Sequence, residues 1–185
     1  MIEIEGTFYG TTTRGGTYDT VSGGAGTVFG MTRDGKERVL HSFGSGHDGS
    51  LPSSSLSWIE ANLYGTTYEG GAYGRNGGSG TAFSVNSTTE QVLYNFAKHS
   101  GRHPSGRLIG VNGTLYGTTE RGGKYDGGTV FSLSTSGVEQ VLHSFGSGSD
   151  GKLPYAGVVD VGGTLYGTTK EGGAYNEGTV FALSP

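Results

Sequence analysis

The stretch GTLYGTTERGGKYDGGTVFSL, Gly113–Leu133, decides the fold, because the chain writes nearly the same phrase four times. Its first half, Tyr-Gly-Thr-Thr-x-x-Gly-Gly-x-Tyr, stands complete at Tyr9–Tyr18, Tyr64–Tyr73, Tyr116–Tyr125 and Tyr166–Tyr175. Its second half, Gly-Thr-Val/Ala-Phe, follows at Gly26–Phe29, Gly80–Phe83, Gly128–Phe131 and Gly178–Phe181. Three copies continue into VLHSF at Val39, VLYNF at Val92 and VLHSF at Val141, then pass through a glycine-rich loop to Pro52, Pro104 and Pro154. Successive first tyrosines lie 64 − 9 = 55, 116 − 64 = 52 and 166 − 116 = 50 residues apart. A unit of about fifty residues is the length of a propeller blade.

Within one unit four short apolar runs read as strands. They are a (Leu108–Val111), b (Thr114–Thr119), c (Thr129–Ser134) and d (Gln140–Phe145). Strand a has counterparts at Ile2–Ile4, Leu56–Ile59 and Val158–Val161. Asn112-Gly113 and Gly162-Gly163 between a and b, and Asp34-Gly35 between c and d, read as two-residue type I′ hairpins. No segment has helical period, and glycine with β-branched residues opposes helix throughout. Both faces of each sheet read as apolar, so each sheet needs cover on both sides, which stacking of blades around an axis supplies.

The expected fold is therefore all-β: one β-propeller domain over 1–185, of four blades of four antiparallel strands. The repeats run approximately 1–55, 56–107, 108–157 and 158–185. The last blade stops after strand c, without its outer strand, which leaves an opening for a homo-oligomer. A β-solenoid is the alternative, though its rungs are shorter than this unit.

Composition narrows the function classes. Of 185 residues 39 are glycine and only 15% are charged, with a net charge of −4. No basic stripe is offered to nucleic acid or anionic lipid. Cysteine is absent, which removes disulfides, thiolate zinc sites and cysteine nucleophiles together. No apolar run reaches membrane-spanning length, so no membrane insertion is expected. The opening MIEIEGTFYG carries early acids and no apolar core of a leader, so no signal peptide is read there.

The full phrase GTLYGTTxxGGxYxxGTVFxL, followed by VLHSFG and DGxxP, resembles the GloVer (Gloeo/Verruco) tandem repeat of bacterial proteins. The resemblance covers essentially the whole chain. It implies a kelch-like propeller, often exported and attached at the cell surface, hence an extracytoplasmic location. It brings no agreed chemistry and no catalytic residues to carry over.

In a repeat protein, residues shared by every copy serve the fold, and residues that break the pattern are candidates for function. Tyr9, Tyr64, Tyr116 and Tyr166 are thus read as blade packing. His41 and His143 share a strand-d slot with Tyr94 and are read as half-buried, hydrogen-bonded packing residues. The d–a loops GSGHDGSLP and GSGSDGKLP match G-x-G-x-x-G, but no helix follows, so no nucleotide or organic cofactor is expected. Asp48 and Asp150 in these loops are either turn residues or, beside glycine carbonyls, oxygen ligands for Ca2+. The second loop, AKHSGRHPSG, breaks the pattern with His99, Arg102 and His103, to which His47 adds an imidazole from the neighbouring loop.

The b–c loops carry Tyr18, Tyr73, Tyr125 and Tyr175 with Asp19, Asp126, Asn176 and Glu177, and the enlarged run Arg75–Gly80. Exposed tyrosine beside acids and amides suits stacking on a sugar ring with hydrogen bonds to its hydroxyls. The same residues could equally anchor the loops. Trp58 and Glu60, beside Asn62, have no close counterparts in other copies and are expected to line the axial channel.

Two functional readings follow. The first is a non-catalytic repeat protein binding a small or carbohydrate-like ligand through Tyr18, Tyr73, Tyr125, Tyr175, Asp19, Asp126, Asn176 and Trp58. The alternative is a calcium-dependent hydrolase of the lactonase or esterase type. It would hold an axial metal with Asp48, Asp150, Glu60, Asn62 or Asn112, and use His99 or His103 as base with Arg102 beside them. That alternative rests on fold analogy. No G-x-S-x-G and no H-E-x-x-H spacing is present.

Overall fold

In the computed structural model the described residues are 1–18, 23–73, 78–86 and 89–185. They are all β-structure and turns, with no helix. The first sheet orders β1 (Ile2–Ile4), β2 (Thr7–Thr12), β3 (Thr27–Thr32) and β4 (Glu37–Ser42) in sequence. The second repeats this with β5 (Ser57–Ile59), β6 (Asn62–Thr67), β7 (Thr81–Val85) and β8 (Glu90–Asn95). After the short β9 (Arg102–Pro104), the third sheet orders β10 (Ile109–Val111), β11 (Thr114–Arg121), β12 (Thr129–Ser134) and β13 (Glu139–Ser144), with β9 on β11. β14 (Gly151–Lys152) precedes the fourth sheet of β15 (Val159–Val161), β16 (Thr164–Thr169) and β18 (Thr179–Leu183); β17 (Glu171–Gly172) pairs with β14. All strand pairings are antiparallel and no sheet closes on itself. The fourth sheet has three strands, so one edge of β18 carries no strand.

Contacts group the chain into two compact units, Met1–Asn95 and Phe96–Pro185. The first holds the first and second sheets, the second holds the third and fourth sheets and the short β14–β17 pair, and the two cores are assembled from matching positions. In the first unit Ile2, Ile4, Tyr9, Val28 and Leu40 of the first sheet pack on Leu56, Leu63, Phe83 and Val85, with Phe43 among them. In the second unit Ile109, Tyr116, Val130 and Leu142 pack on Val158, Leu165, Phe181 and Leu183, with Phe145 among them. Phe43 meets Phe83 edge-on at 4.9 Å, and Phe145 lies tilted on Phe181 at 5.0 Å. Such offset pairs add to the burial of two large rings.

The repeated phrase can now be read atom by atom. The glycine of Tyr-Gly-Thr-Thr pairs across the ladder with the phenylalanine of Gly-Thr-Val-Phe, as Gly117 does with Phe131. The ring lies over the glycine, and a Cβ on Gly117 would come within 2.7 Å of Phe131 Cζ and of Leu108 Cδ2. The second threonine accepts the Thr129 N–H at 3.2 Å through Thr119 Oγ1, donates to Arg121 O and pairs with the Thr129 hydroxyl at 2.8 Å. The same clasp joins Thr12 to Thr27, Thr67 to Thr81 and Thr169 to Thr179. The d–a loop seats on it: Thr81 Oγ1 donates to Asp48 O at 3.2 Å and Thr129 Oγ1 to Ser100 O at 3.2 Å. The loop glycines Gly49 and Gly101 have positive φ and lie so close to the clasp that a side chain would strike Thr67 or Thr119 Oγ1.

Two hairpin expectations resolve differently. Asn112-Gly113 has φ +50° and +78°, and Gly162-Gly163 has +62° and +86°, so both residues of each pair are left-handed as a type I′ turn requires. Asp34-Gly35 is not such a turn. Gly35 N–H donates to Thr32 O at 3.0 Å and Thr32 N–H to Lys36 O at 3.0 Å, making a three-residue loop in which only Gly35 of the pair has positive φ. Ser134–Val138 repeats that geometry, so the c–d connection is one residue longer than the Asp-Gly pair suggests.

Candidate functional site

Most of the loop residues singled out by sequence are occupied in holding loops. Asp48 is buried; its Oδ2 meets His41 Nε2 at 3.0 Å and its Oδ1 accepts the Gly44 N–H at 3.0 Å. Asp150 likewise meets His143 Nε2 at 2.9 Å and accepts the Gly151 N–H at 2.8 Å. A carboxylate only accepts, so each Nε2 carries the hydrogen. Each imidazole also stands edge-on to the next phenylalanine, Phe43 or Phe145. In the second repeat Tyr94 takes the histidine's place and Ser100 the aspartate's, and the Ser100 hydroxyl accepts the Ala97 N–H at 3.0 Å. The ring and the loop residue therefore change together.

The other oxygen donors proposed for a cation lie at the opposite ends of the strands. Glu60 (φ +47°) and Asn112 (φ +50°) form hairpin corners between strands a and b, and Asn62 Nδ2 donates to Glu60 O at 3.0 Å. Six residues of β6 separate that corner from the loop of Asp48, roughly 20 Å of strand. Among the described residues no three histidine or carboxylate side chains gather closely enough to hold a metal ion.

In the second unit Arg102 Nη2 bonds Asp126 Oδ1 at 2.7 Å, and the same oxygen accepts the Gly122 N–H at 3.0 Å. Burial pushes the Asp126 carboxyl up, but the Arg102 guanidinium, the Gly122 N–H and nearby Arg121 outweigh it and hold it below the usual aspartate range. Asn176 Oδ1 accepts the Gly172 N–H at 3.1 Å in the equivalent turn, and both Asp126 and Asn176 have left-handed backbone. His103 (φ +58°) occupies the joint filled by Leu51 (φ +56°) and Leu153 (φ +57°) before each loop proline. His99 is exposed. Tyr18, Tyr73, Tyr125 and Tyr175 are all exposed, and Lys124 Nζ lies 5.1 Å from the Tyr125 ring centre. Asp19 and the start of the Arg75–Gly80 run fall outside the described residues.

A different set of pattern-breaking residues does converge, between the two sheets of the first unit. Trp58 in β5 stands opposite Leu63 of β6, on the face that also carries Val85. Tyr9 and Leu40 of the first sheet look onto that face, and Arg38 pairs across Gly30 with the Tyr9 position. Together with Ala61 and Asn86 these side chains line a cleft of about 160 Å³. Trp58 stands where the other copies have Glu3, Gly110 and Asp160, and Arg38 where they have Gln91 and Gln140. Asn86 stands where they have Thr32 and Ser134.

Trp58 is 43% exposed, which leaves much of its indole open to solvent. No carboxylate forms an ion pair with Arg38 among the described residues. The cleft thus offers a flat apolar wall and a guanidinium, beside Asn86, whose Oδ1 accepts the Thr89 N–H at 2.9 Å. Sequence reading found Trp58 but missed Arg38, Leu40 and Asn86; aligning the four copies position by position would have flagged Arg38 as the one cation in a glutamine slot.

A repeat architecture with this phrase is a known class. The model of the Gloeobacter/Verrucomicrobia repeat matches residues 1–181, and the chain belongs to that family. No curated protein is similar enough to count as a relative.

Proposed function

We propose that this chain is a non-catalytic repeat protein that binds a small carbohydrate-like ligand in the cleft at Trp58, its sheets serving as blades of a propeller. The observation that carries the reading is the convergence of residues that differ between repeats, Arg38, Trp58 and Asn86, on one cavity. An exposed indole stacks on the apolar face of a sugar ring, while guanidinium and amide groups bond its hydroxyls or a carboxylate substituent. At about 160 Å³ the cleft is smaller than the roughly 300–1,000 Å³ that encloses a drug-sized molecule, so it suits a single ring or a chain end.

The loop tyrosines Tyr18, Tyr73, Tyr125 and Tyr175 are the competing surface for the same ligand class. A calcium-dependent hydrolase stands behind both, since Asp48 and Asp150 already bind histidines and Arg102 already binds Asp126.

Retention on an immobilised glycan panel, neutral and acidic, tests the proposal. Wild type is expected to be retained by at least one glycan. The Trp58→Ala variant should lose about two- to tenfold in affinity, as removal of one aromatic contact worth about 0.5–1.5 kcal/mol implies. Unchanged retention of folded Trp58→Ala, with loss in Tyr125→Ala or Tyr175→Ala, would move the site to the loops.

A further inference from the structure

Each unit builds one seam between two sheets, and the two seams differ in charge at their variable positions. In the first unit Tyr9 and Leu40 pack on Leu63 and Val85; in the second Tyr116 and Leu142 pack on Leu165 and Leu183. Beside these shared residues the first seam has Arg38 in strand d and Trp58 in strand a. The second has Gln140 and Asp160 at the same places. One seam therefore sets a cation beside an aromatic wall, and its twin sets an amide beside an acid.

Arg38 is the only charged side chain that lines the cleft. Glu37, next to it in β4, lies on the opposite face of the sheet, because successive strand residues alternate. Glu90 ends the facing row Trp58–Leu63–Val85–Glu90, but it lies near His41 and Asp48. Neither it nor Glu60 belongs to the lining.

The hydrogen-bonding groups favour an anion as well. A guanidinium offers five N–H donors and accepts nothing, which matches a carboxylate fully and a hydroxyl only by half. The side-chain acceptors of the lining are Tyr9 Oη and Asn86 Oδ1, and the latter already takes the Thr89 N–H at 2.9 Å. An amide, as at Gln91 and Gln140, both donates and accepts and would serve a neutral sugar better.

Resting on the reading of the cleft as a sugar site, we infer that it selects a sugar acid, with the ring on the Trp58 indole and the carboxylate on the Arg38 guanidinium. In a uronate the carboxylate projects from the rim of the ring, so the face stacks while the rim meets the arginine.

Titration of Trp58 emission at low salt with galacturonate and glucuronate, each beside its methyl ester, tests this. The ester keeps the ring and loses the charge. At least one acid is expected to bind about three- to tenfold more tightly than its ester, the range set by a charge-assisted bond to an exposed arginine. Arg38→Gln, which installs the residue of the second and third repeats, should remove that advantage and leave the ester's affinity unchanged. Added salt should weaken the acid and spare the ester. Circular dichroism identical to wild type establishes that the variant is folded. Equal binding of acids and esters overturns the inference and leaves the sugar site standing. An acid preference that survives Arg38→Gln overturns it too, by placing the charge recognition elsewhere. Acetate that changes Trp58 emission as strongly as the sugar acids would reduce the site to one for a bare carboxylate and also overturn it. Absence of any saturable change, with acids and esters alike, defeats the reading of the cleft as a sugar site and the inference with it.

Discussion

At Gly117 the space for one atom decides whether a repeat packs. The Phe131 ring and Leu108 Cδ2 fill the volume a methyl group would need, at 2.7 Å each. Gly117→Ala is therefore expected to cost about 1–3 kcal/mol by overpacking, read as a lowered denaturation midpoint. Glu90 makes the opposite kind of prediction. Burial pushes its carboxyl above the usual range, nearby His41 pulls it down less strongly, and Asp48 adds to the rise; its Oε1 is buried without a hydrogen-bond partner among the described residues. A raised folded value means the native state holds that proton more tightly than the unfolded chain. The contribution is then fully present below the ordinary glutamate range and is lost as pH rises through the folded value. Glu90→Gln should raise the melting temperature at pH 7 to 8 and have little effect near pH 4. A variant that melts lower at neutral pH would contradict that account of Glu90. The glycine was legible from the repeated phrase; the glutamate's burial was not, because it depends on side chains from the facing sheet.

Among the elements, the second threonine of each Gly-Thr-Thr carries more structure than its small side chain suggests. The Thr119 hydroxyl serves the Thr129 N–H, the Arg121 carbonyl and the Thr129 hydroxyl at once. Thr119→Val keeps the shape and strands those partners in a buried place, so a loss of about 1–3 kcal/mol is expected in chemical denaturation. Strand positions were legible to within a residue or two: c was read as Thr129–Ser134 and is so, while d was read from Gln140 and begins at Glu139. Alternation of apolar residues gives that much directly. The short pairings β9 on β11 and β14 on β17 were not legible, since they form where a loop crosses to the next sheet. Nor was the c–d loop length, because Asp-Gly fits both a two-residue turn and the end of a three-residue one.

For the molecule as a whole, stability comes from each sheet burying one face against a neighbour, as in other repeat proteins. Phe145 is buried between the third and fourth sheets, against Phe181. Phe145→Ala should cost about 3–5 kcal/mol and lower the denaturation midpoint accordingly. A loss under 1 kcal/mol would show that the two sheets do not depend on that seam. The candidate site was half legible. Trp58, the chain's single tryptophan, stood out because the other copies have no close counterpart to it, but its partners Arg38 and Asn86 lie 20 and 28 residues away and meet it only when two sheets face each other. The same uniqueness supplies the most direct measurement, since all indole fluorescence comes from the cleft. Titration with monosaccharides and sugar acids should produce a saturable change in Trp58 emission that Arg38→Ala weakens by about tenfold. Emission that no member of the panel alters, in protein shown to be folded, would contradict a ligand site at Trp58.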